Sequence, residues 1–311
     1  MKHRYYTADV FTDTIFGGNP LAVVTDADAL TDAQMQKVAA EFNLPETTFI
    51  QTPADPQHAC RVRIFTPKAE LPFAGHPTVG TALILAWTGA VATPDGDNST
   101  IVLEEGLGPV LVVIDWEDGA AVRATLTTAT LPDVGPPPPD TANIAAMLGL
   151  DIADIHDDPS AGATAPVAMS CGVPFVFVPL RDRAALARVR LDHSVWRKHL
   201  KDHWAPSLYL FTRDAARDGA DIQARMFAPV LGVPEDPATG SAVAALAAFL
   251  APRSAIKNGT ACWVVDQGIE MGRPSTLVLE ADLEDRTPRA IRVGGAAVLV
   301  REGEIEIPSG E

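Results

Sequence analysis

The sequence predicts an α+β fold made of two pseudo-symmetric domains, each a mostly antiparallel sheet or partial barrel around one buried helix. Three observations predict it: an internal repeat, one long apolar segment in each half, and short β-branched runs between turn residues. Because each half repeats the same elements, we expect the active site in the cleft between the two domains.

An internal repeat relates the two halves of the 311-residue chain. The matching segments follow one another in the same order, at a spacing near half the chain length. They are Gly18–Val24 with Gly172–Val178, Arg63–Pro67 with Arg225–Pro229, and Pro77–Ala82 with Pro237–Ala242. Solenoids repeat every ~20–50 residues, so the pattern indicates duplication of a whole domain.

A proline-rich stretch, Leu131–Asp140, separates the two halves. Each proline removes a backbone donor and fixes φ, which favours a semi-rigid spacer over a helix or a strand ladder. We therefore predict an N-terminal repeat over 1–132, a linker over 133–140 and a C-terminal repeat over 141–311. The C-terminal strand is free to return to the first domain.

Short β-branched runs bounded by turn residues predict strands in both halves. They are Ala22–Thr25, Val62–Phe65, Thr100–Leu103, Val110–Ile114, Phe175–Pro179, Leu208–Phe211, Cys262–Val265 and Ala296–Val300. Thr78–Val91 and Thr239–Leu250 are almost wholly apolar, which predicts two helices buried on every side. Asp32–Phe42 and Asp182–Leu200 have the pattern of amphipathic outer helices.

Composition excludes several function classes. The chain has 24 Lys and Arg against 40 Asp and Glu, a net charge of −16, so neither nucleic acid nor an anionic membrane is an expected partner. The apolar run Ala242–Ala251 is shorter than the ~20 residues that span a bilayer. Cys60, Cys171 and Cys262 are too few and too scattered for a disulfide scaffold or a thiolate zinc site, which favours the cytoplasm.

Both predicted buried helices begin inside the repeated element and follow proline and small residues. A helix N-terminus presents unpaired N–H groups and a partial positive charge, which suits a carboxylate or an enolate. Small residues before a buried helix also satisfy simple packing, so this feature alone leaves both interpretations open.

Three polar residues lie beside these elements. His76 and Asp236 each come one residue before equivalent prolines of the repeat, and Glu46 precedes the apolar pair Phe49–Ile50 by a few residues. Each also has a plain structural interpretation. Asp236 could be an N-cap, His76 a hydrogen-bonded turn residue, and Glu46 a solvated carboxylate at a loop end.

Several motifs closely resemble the phenazine-biosynthesis PhzF-like family, which shares the diaminopimelate epimerase fold. They run from about Asp9 to Ile305 and read DVFT…GGNPLAVV, NLPETTFI, RIFTPKAELPFAGHPTVGTA, EDPATGSAVAAL, QGIEMGRPS and VGGAAVLVREGEI. The resemblance implies two similar domains with the site between them, in agreement with the repeat.

The resemblance also implies roles for individual residues. Glu46 matches the family's catalytic acid/base, and His76 and Asp236 match its other polar active-site residues. Positions that contact substrate at the helix N-termini match three small residues: Gly75, Gly240 and Ser241. The best-known activity of the family isomerises a dihydro-hydroxyanthranilate, a small carboxylate metabolite, and a homodimer is a possible assembly.

Alternative functions remain open at this point. A non-catalytic binding protein would keep the fold, and an epimerase, racemase or dehydratase would act on an amino or hydroxy acid. A two-thiol epimerase is disfavoured because Ala74–Gly75 and Asp236–Gly240 contain no cysteine. We predict a cofactor-independent isomerase in which proton transfer needs no nicotinamide, flavin or pyridoxal phosphate.

No metal is predicted at the site either. His199 and His203 lie four residues apart, but a solvated helix face that includes His193 explains them better than a metal pair does. Arg273 is assigned a structural role. The chain has neither a P-loop nor a complete dinucleotide fingerprint.

Overall fold

The computed structural model describes residues 1–156 and 165–308 of the chain. The chain folds into two units. The first unit comprises Met1–Ala129 and Val293–Glu311, and the second comprises Thr130–Arg292. The C-terminal segment therefore belongs with the N-terminal half of the sequence.

In its described part, the first unit contains two α-helices among its strands. The helices are α1 (Asp32–Phe42) and α2 (Gly75–Trp87). The strands are β1 (Lys2–Val10), β2 (Asn19–Val24), β3 (Glu46–Gln51), β4 (Cys60–Phe65), β5 (Glu70–Leu71), β6 (Asn98–Glu105), β7 (Gly108–Glu117), β8 (Ala120–Thr127) and, after the second unit, β18 (Ala297–Glu306). Thr31 caps α1 with a full capping box, since its hydroxyl accepts from Gln34 N–H and the Gln34 side chain accepts from Thr31 N–H.

The second unit contains four α-helices in its described part. They are α3 (Thr141–Leu148), α4 (Arg183–Arg188), α5 (His193–His199) and α6 (Gly240–Leu250). The strands are β9 (Asp133–Val134), β10 (Val167–Ser170), β11 (Pro174–Pro179), β12 (Ser207–Thr212), β13 (Ile222–Ala228), β14 (Val233–Asp236), β15 (Gly259–Gln267) and β16 (Ser275–Glu284). A further strand, β17 (Thr287–Gly295), begins in the second unit and ends in the first.

The two units have the same strand connectivity. In the first, β1–β2 is antiparallel, β2–β3 parallel, β3–β4 and β4–β5 antiparallel, β4–β6 parallel and β6–β7 antiparallel. In the second, the pairs β10–β11, β11–β12, β12–β13, β13–β14, β13–β15 and β15–β16 repeat that sequence of directions. The duplication predicted from short sequence matches is confirmed by this repeated topology.

One helix is buried in the core of each unit. Residues 75–86 of α2 are buried throughout, and in α6 only Ser241 and Ala248 are partly exposed. Helices that are apolar on all sides were expected to have this environment. In the part of the chain that the structure describes, no helix is both long and apolar enough to cross a membrane.

The prediction of one outer helix over Asp182–Leu200 is wrong. Val189 leaves the helical region at φ −51° and ψ 128°, so α4 ends there and α5 begins four residues later. Asp182 and Asp192 each cap one of the two short helices by accepting backbone N–H groups. A second capping aspartate inside an amphipathic run was the sequence signal for this break.

The start of the proline-rich stretch joins the second unit. Asp133–Val134 pairs with β10, and Gly135 N–H donates to the Ala168 carbonyl at 2.8 Å. Both contacts precede Pro136, so the backbone donors are still available. Gly135 also lies against Trp204, where an added Cβ would come within 2.1 Å of the indole ring.

Candidate active site

Glu46 is the first residue of β3, where the strand enters the sheet beside β2. Its backbone pairs with Leu21 in parallel register, and its side chain is 17% exposed. The residue therefore combines a fixed backbone with a carboxylate that still reaches the surface, as a proton-transfer group requires.

His76 is the second residue of α2, and it is buried. Its ring donates a hydrogen bond to the backbone of Pro20, which has a carbonyl but no N–H. Burial lowers the pKa of His76 to about 3, and the Pro20 bond opposes this shift only partly. The imidazole is therefore neutral at physiological pH.

The Glu46 and His76 side chains meet. His76 Nε2 lies 3.2 Å from Glu46 Oε2, so the proton donated to Pro20 is on Nδ1 and Nε2 presents its lone pair to the carboxyl group. The 3.2 Å separation therefore places a neutral imidazole directly against the Glu46 carboxyl group.

In the second unit, Asp236 ends β14 and is tied to the start of α6. Thr239 Oγ1 donates to Asp236 Oδ2 at 2.5 Å. Gln267 Nε2 donates to the Asp236 carbonyl at 2.8 Å and to Thr239 Oγ1 at 3.0 Å. The N-cap position of α6 belongs to Thr239, so the plain interpretation of Asp236 as the N-cap is wrong. Gly240 and Ser241 are the first two residues of this helix.

The sequence reasoning missed Tyr209, which lies in the same row of the sheet as Asp236. Tyr209 pairs with Met226, and Met226 pairs with Asp236. The phenol is fully buried, and its hydroxyl has no hydrogen-bond partner among the described residues. Burial raises its pKa well above the usual range, and the charge of Asp236 raises it further. A tyrosine in a strand carries no sequence signal for such a position.

The structure therefore brings some of the predicted site residues together within a unit. Glu46 and His76 are in contact, with Gly75 next to His76 at the start of α2, and Asp236 lies four residues before Gly240. One cleft holding both groups stays a prediction. Across 1–156 and 165–308, no group of three His, Cys, Asp or Glu side chains is arranged to hold a metal ion.

The remaining candidates have local structural roles. His203 does not share a helix with His199. It lies in a turn after α5, accepts from Ala205 N–H and contacts the Pro137 carbonyl at 3.2 Å. Cys171 is buried and donates to the Thr130 carbonyl.

The family model described as phenazine biosynthesis-like protein matches residues 8–303 of this chain. The chain belongs to this family. The resemblance proposed from the motifs is thereby confirmed, and so is the α+β fold that it implied.

Relatives of this phenazine biosynthesis-like protein include named isomerases. An uncharacterized isomerase of Mesorhizobium japonicum is 40% identical, over 98% of this chain and 99% of the relative. The trans-2,3-dihydro-3-hydroxyanthranilate isomerase of Pseudomonas aeruginosa is 36% identical, over 97% of this chain and 98% of the relative. The crystal structure of the Bacillus anthracis PhzF-family phenazine biosynthesis protein matches with a TM-score of 0.87 and 25% identity, covering 99% of this chain and all of that chain. The chain is an isomerase of this family.

Proposed function

We propose that this isomerase moves a proton between carbon atoms of a small carboxylate metabolite, with Glu46 as the general acid/base and without a cofactor. The contact of 3.2 Å between Glu46 and a buried, neutral His76 carries the proposal. His76, Asp236, Gly75, Gly240 and Ser241 complete the proposed site.

The proton shift needs one group that takes a proton from carbon and returns it elsewhere. The ionised form of Glu46 breaks a substrate C–H bond and keeps the proton, and the electron pair spreads into the conjugated system. The same proton then forms a new C–H bond at another carbon. His76 Nε2 accepts a hydrogen bond from the protonated form, which fixes the carboxyl orientation between the two steps.

The substrate carboxylate matches the starts of the two buried helices. The first N–H groups of α2 and α6 have no partner within their own helices and carry partial positive charge, which suits a carboxylate and the charge that develops in the transition state. We propose trans-2,3-dihydro-3-hydroxyanthranilate, named for the Pseudomonas aeruginosa relative, as the first substrate to test.

A reducing compartment and a dimer complete the proposal. Cys60, Cys171 and Cys262 all lie among the described residues and form no disulfide there, which fits the cytoplasm. Size-exclusion chromatography with light scattering tests the homodimer, and a monomeric mass would contradict it.

Proton exchange in heavy water tests the function directly. Purified protein is incubated with trans-2,3-dihydro-3-hydroxyanthranilate in D2O, and the product is analysed by NMR for carbon-bound deuterium. We expect isomerised product, with deuterium wherever the proton on Glu46 exchanges with solvent before it returns. The matched control is Glu46→Gln, for which neither product nor exchange is expected. Unchanged substrate with the wild-type protein would exclude this substrate, and product formed equally by both proteins would exclude Glu46.

A further inference from the structure

A chain of hydrogen bonds joins a buried glutamate to the first turn of α2. Thr78 Oγ1 lies 2.6 Å from Glu105 Oε1 and 2.7 Å from the carbonyl oxygen of Ala74. The backbone bond from Thr78 N–H to the same carbonyl is longer, at 3.3 Å. The threonine hydroxyl is therefore the closer contact that closes the turn containing Gly75 and His76.

The proton count along this chain determines the protonation of Glu105. A threonine hydroxyl has one proton, and a carbonyl can only accept. If the hydroxyl donates to Ala74, the short contact with Glu105 requires that the carboxyl group donates to Thr78. Glu105 is 8% exposed, and its Oε2 atom has no partner among the described residues. Burying such an atom costs much more free energy when the group is an ionised carboxylate than when it is a protonated carboxyl group.

The second unit supports this assignment with a neutral residue at the equivalent position. In the first unit Cys60 pairs with Leu103, and in the second unit the equivalent residue Ile222 pairs with Val265. Leu103 therefore corresponds to Val265. Two residues further along each strand, Glu105 corresponds to Gln267. Each ends its strand, and each is followed by a glycine that packs against the segment before the buried helix.

Gln267 fastens the start of α6 as Glu105 fastens the start of α2. Its side chain donates to Thr239 Oγ1 and to the Asp236 carbonyl. An amide is the nearest neutral analogue of a protonated carboxyl group, because each has a donor group and a carbonyl acceptor in the same plane, although the amide has two protons to donate and the acid has one.

We propose that protonated Glu105 is a positioning residue, which holds the Ala74 carbonyl through Thr78 and so fixes Gly75 and His76 beside Glu46. The proposal rests on the proposed isomerase function for its catalytic consequence. The hydrogen-bond chain itself does not depend on that function.

The surroundings of Glu105 agree with a neutral group. Burial raises its pKa to about 8, against a smaller opposing effect of the Thr78 bond. Cys60 faces it from β4, and burial raises the pKa of that thiol to about 12, so this neighbour is neutral too. The neighbouring Glu104 is paired with His58. A cavity beside Glu105 is lined by three further charged side chains: Arg61, Arg63 and Glu70.

Substitutions of threonines at the two ends of α2 test the positioning role. Thr78→Val removes the hydroxyl, and Thr78→Ser keeps it. Thr88→Val is the matched control, because Thr88 makes the same type of bond, to the Ile84 carbonyl at 2.8 Å, at the other end of the helix. For Thr78→Val we expect faster amide exchange over residues 78–81 and a kcat/KM roughly 10-fold lower, since small misplacements of reacting groups are costly. Thr78→Ser and Thr88→Val should keep both values.

Glu105→Gln tests the protonation state. In the unfolded chain Glu105 loses its proton above its ordinary pKa of 4.5, whereas in the folded protein it keeps the proton up to about pH 8. The stability that protonated Glu105 contributes is therefore complete below pH 4.5 and is lost as the pH rises through about 8. The melting temperature of Glu105→Gln minus that of the wild type should therefore rise between pH 5 and 8 and stay level above. The variant should keep kcat/KM at pH 7, and only the wild type should lose it above pH 8.

The outcomes separate the proposal from the proposed function. A pH-independent difference in melting temperature, or exchange in Thr78→Val equal to that in Thr88→Val, would overturn the hydrogen-bond chain. Normal kcat/KM in Thr78→Val despite faster exchange would overturn the positioning role. If the wild type is inactive, the exchange and melting results still decide the chain, and only the isomerase proposal fails.

Discussion

The two units share one topology but start their buried helices at different places. In the repeat, Pro77 matches Pro237 and Gly80 matches Gly240. The second helix begins at Gly240, whereas the first begins five residues earlier than Gly80, at Gly75. The extra residues of α2 place His76 inside a helix, while its counterpart Asp236 remains at the end of a strand. The same framework thus presents an imidazole and a carboxylate from different backbone conformations.

The units also differ in the chemistry at the entry of one strand. Glu46 pairs with Leu21 as Ser207 pairs with Phe175, and the repeat matches Leu21 to Phe175. A carboxylate therefore occupies in the first unit the position of a buried hydroxyl in the second. The two units therefore have the same topology, but only the first has the proposed base next to a histidine.

Of the substitutions that test this difference between the units, removal of the Glu46 carboxylate should have the largest effect on turnover. We expect Glu46→Gln to lower turnover at least ~100-fold, the usual scale for loss of a general acid/base. Ser207→Ala, the matched change in the second unit, should alter turnover by less than ~3-fold. The measurement is kcat with the dihydro-hydroxyanthranilate, with circular dichroism to verify folding. Equal losses in the two variants would show that the units do not divide the chemistry in this way.

A smaller effect is expected at His76, where burial can be tested through stability. In the unfolded chain His76 takes up a proton below pH 6.5, whereas in the folded protein it does so only near pH 3. Its contribution to the free energy of unfolding is therefore complete above pH 6.5 and is lost as the pH falls toward 3. Between pH 7 and 4.5 this costs on the order of 2 kcal/mol. His76→Asn should remove that part of the acid sensitivity, whereas His193→Asn on the exposed start of α5 should not.

Chemical denaturation at both pH values measures the difference. The acid-induced loss of unfolding free energy should be smaller in His76→Asn than in the wild type. An identical loss in both proteins would mean that folded His76 takes up its proton as readily as the unfolded chain does.

Much of the fold followed from the sequence because periodicity and repetition report burial. The apolar runs gave both core helices, and the matched segments gave the duplication. The split between α4 and α5 was missed because Asp192 fits a polar helix face as well as a cap. The α3 helix was missed although Asp140 precedes it and accepts a hydrogen bond from Asn143 N–H.

The site was only partly accessible from the sequence for a different reason. Glu46 and His76 lie in quoted motifs, but their contact depends on the register of β3 against β2, which no motif encodes. Glu105 and Gln267 end equivalent strands, and each is followed by glycine. That repeated pair was a usable signal, but a single residue beside a glycine is too common to be singled out without the strand register.

The reverse substitution in the second unit sharpens the comparison of Glu105 with Gln267. Gln267→Glu replaces an amide that donates two hydrogen bonds with a carboxyl group that has one proton to donate. We expect a loss of about 1–3 kcal/mol, because a buried acceptor is left without its donor. Thermal melting at pH 6 measures it, and Glu105→Gln is the paired control that should lose less. A larger loss in Glu105→Gln would mean that the two positions are not equivalent.

Chelation should have the smallest effect of all. The proposed reaction needs one group that acts first as a base and then as an acid, and it needs stabilisation of developing negative charge; Glu46 and the helix N-termini supply these. Two carboxylates and an imidazole are nonetheless acceptable metal ligands, so Asp236 would have to join the first-unit pair to form a site. We expect unchanged turnover after treatment with a strong chelator and desalting, compared with samples supplemented with Mg²⁺, Mn²⁺ or Zn²⁺. Activity lost on chelation and restored by one metal would assign a shared metal site to both units and move the reaction toward a metal-assisted lyase or hydrolase.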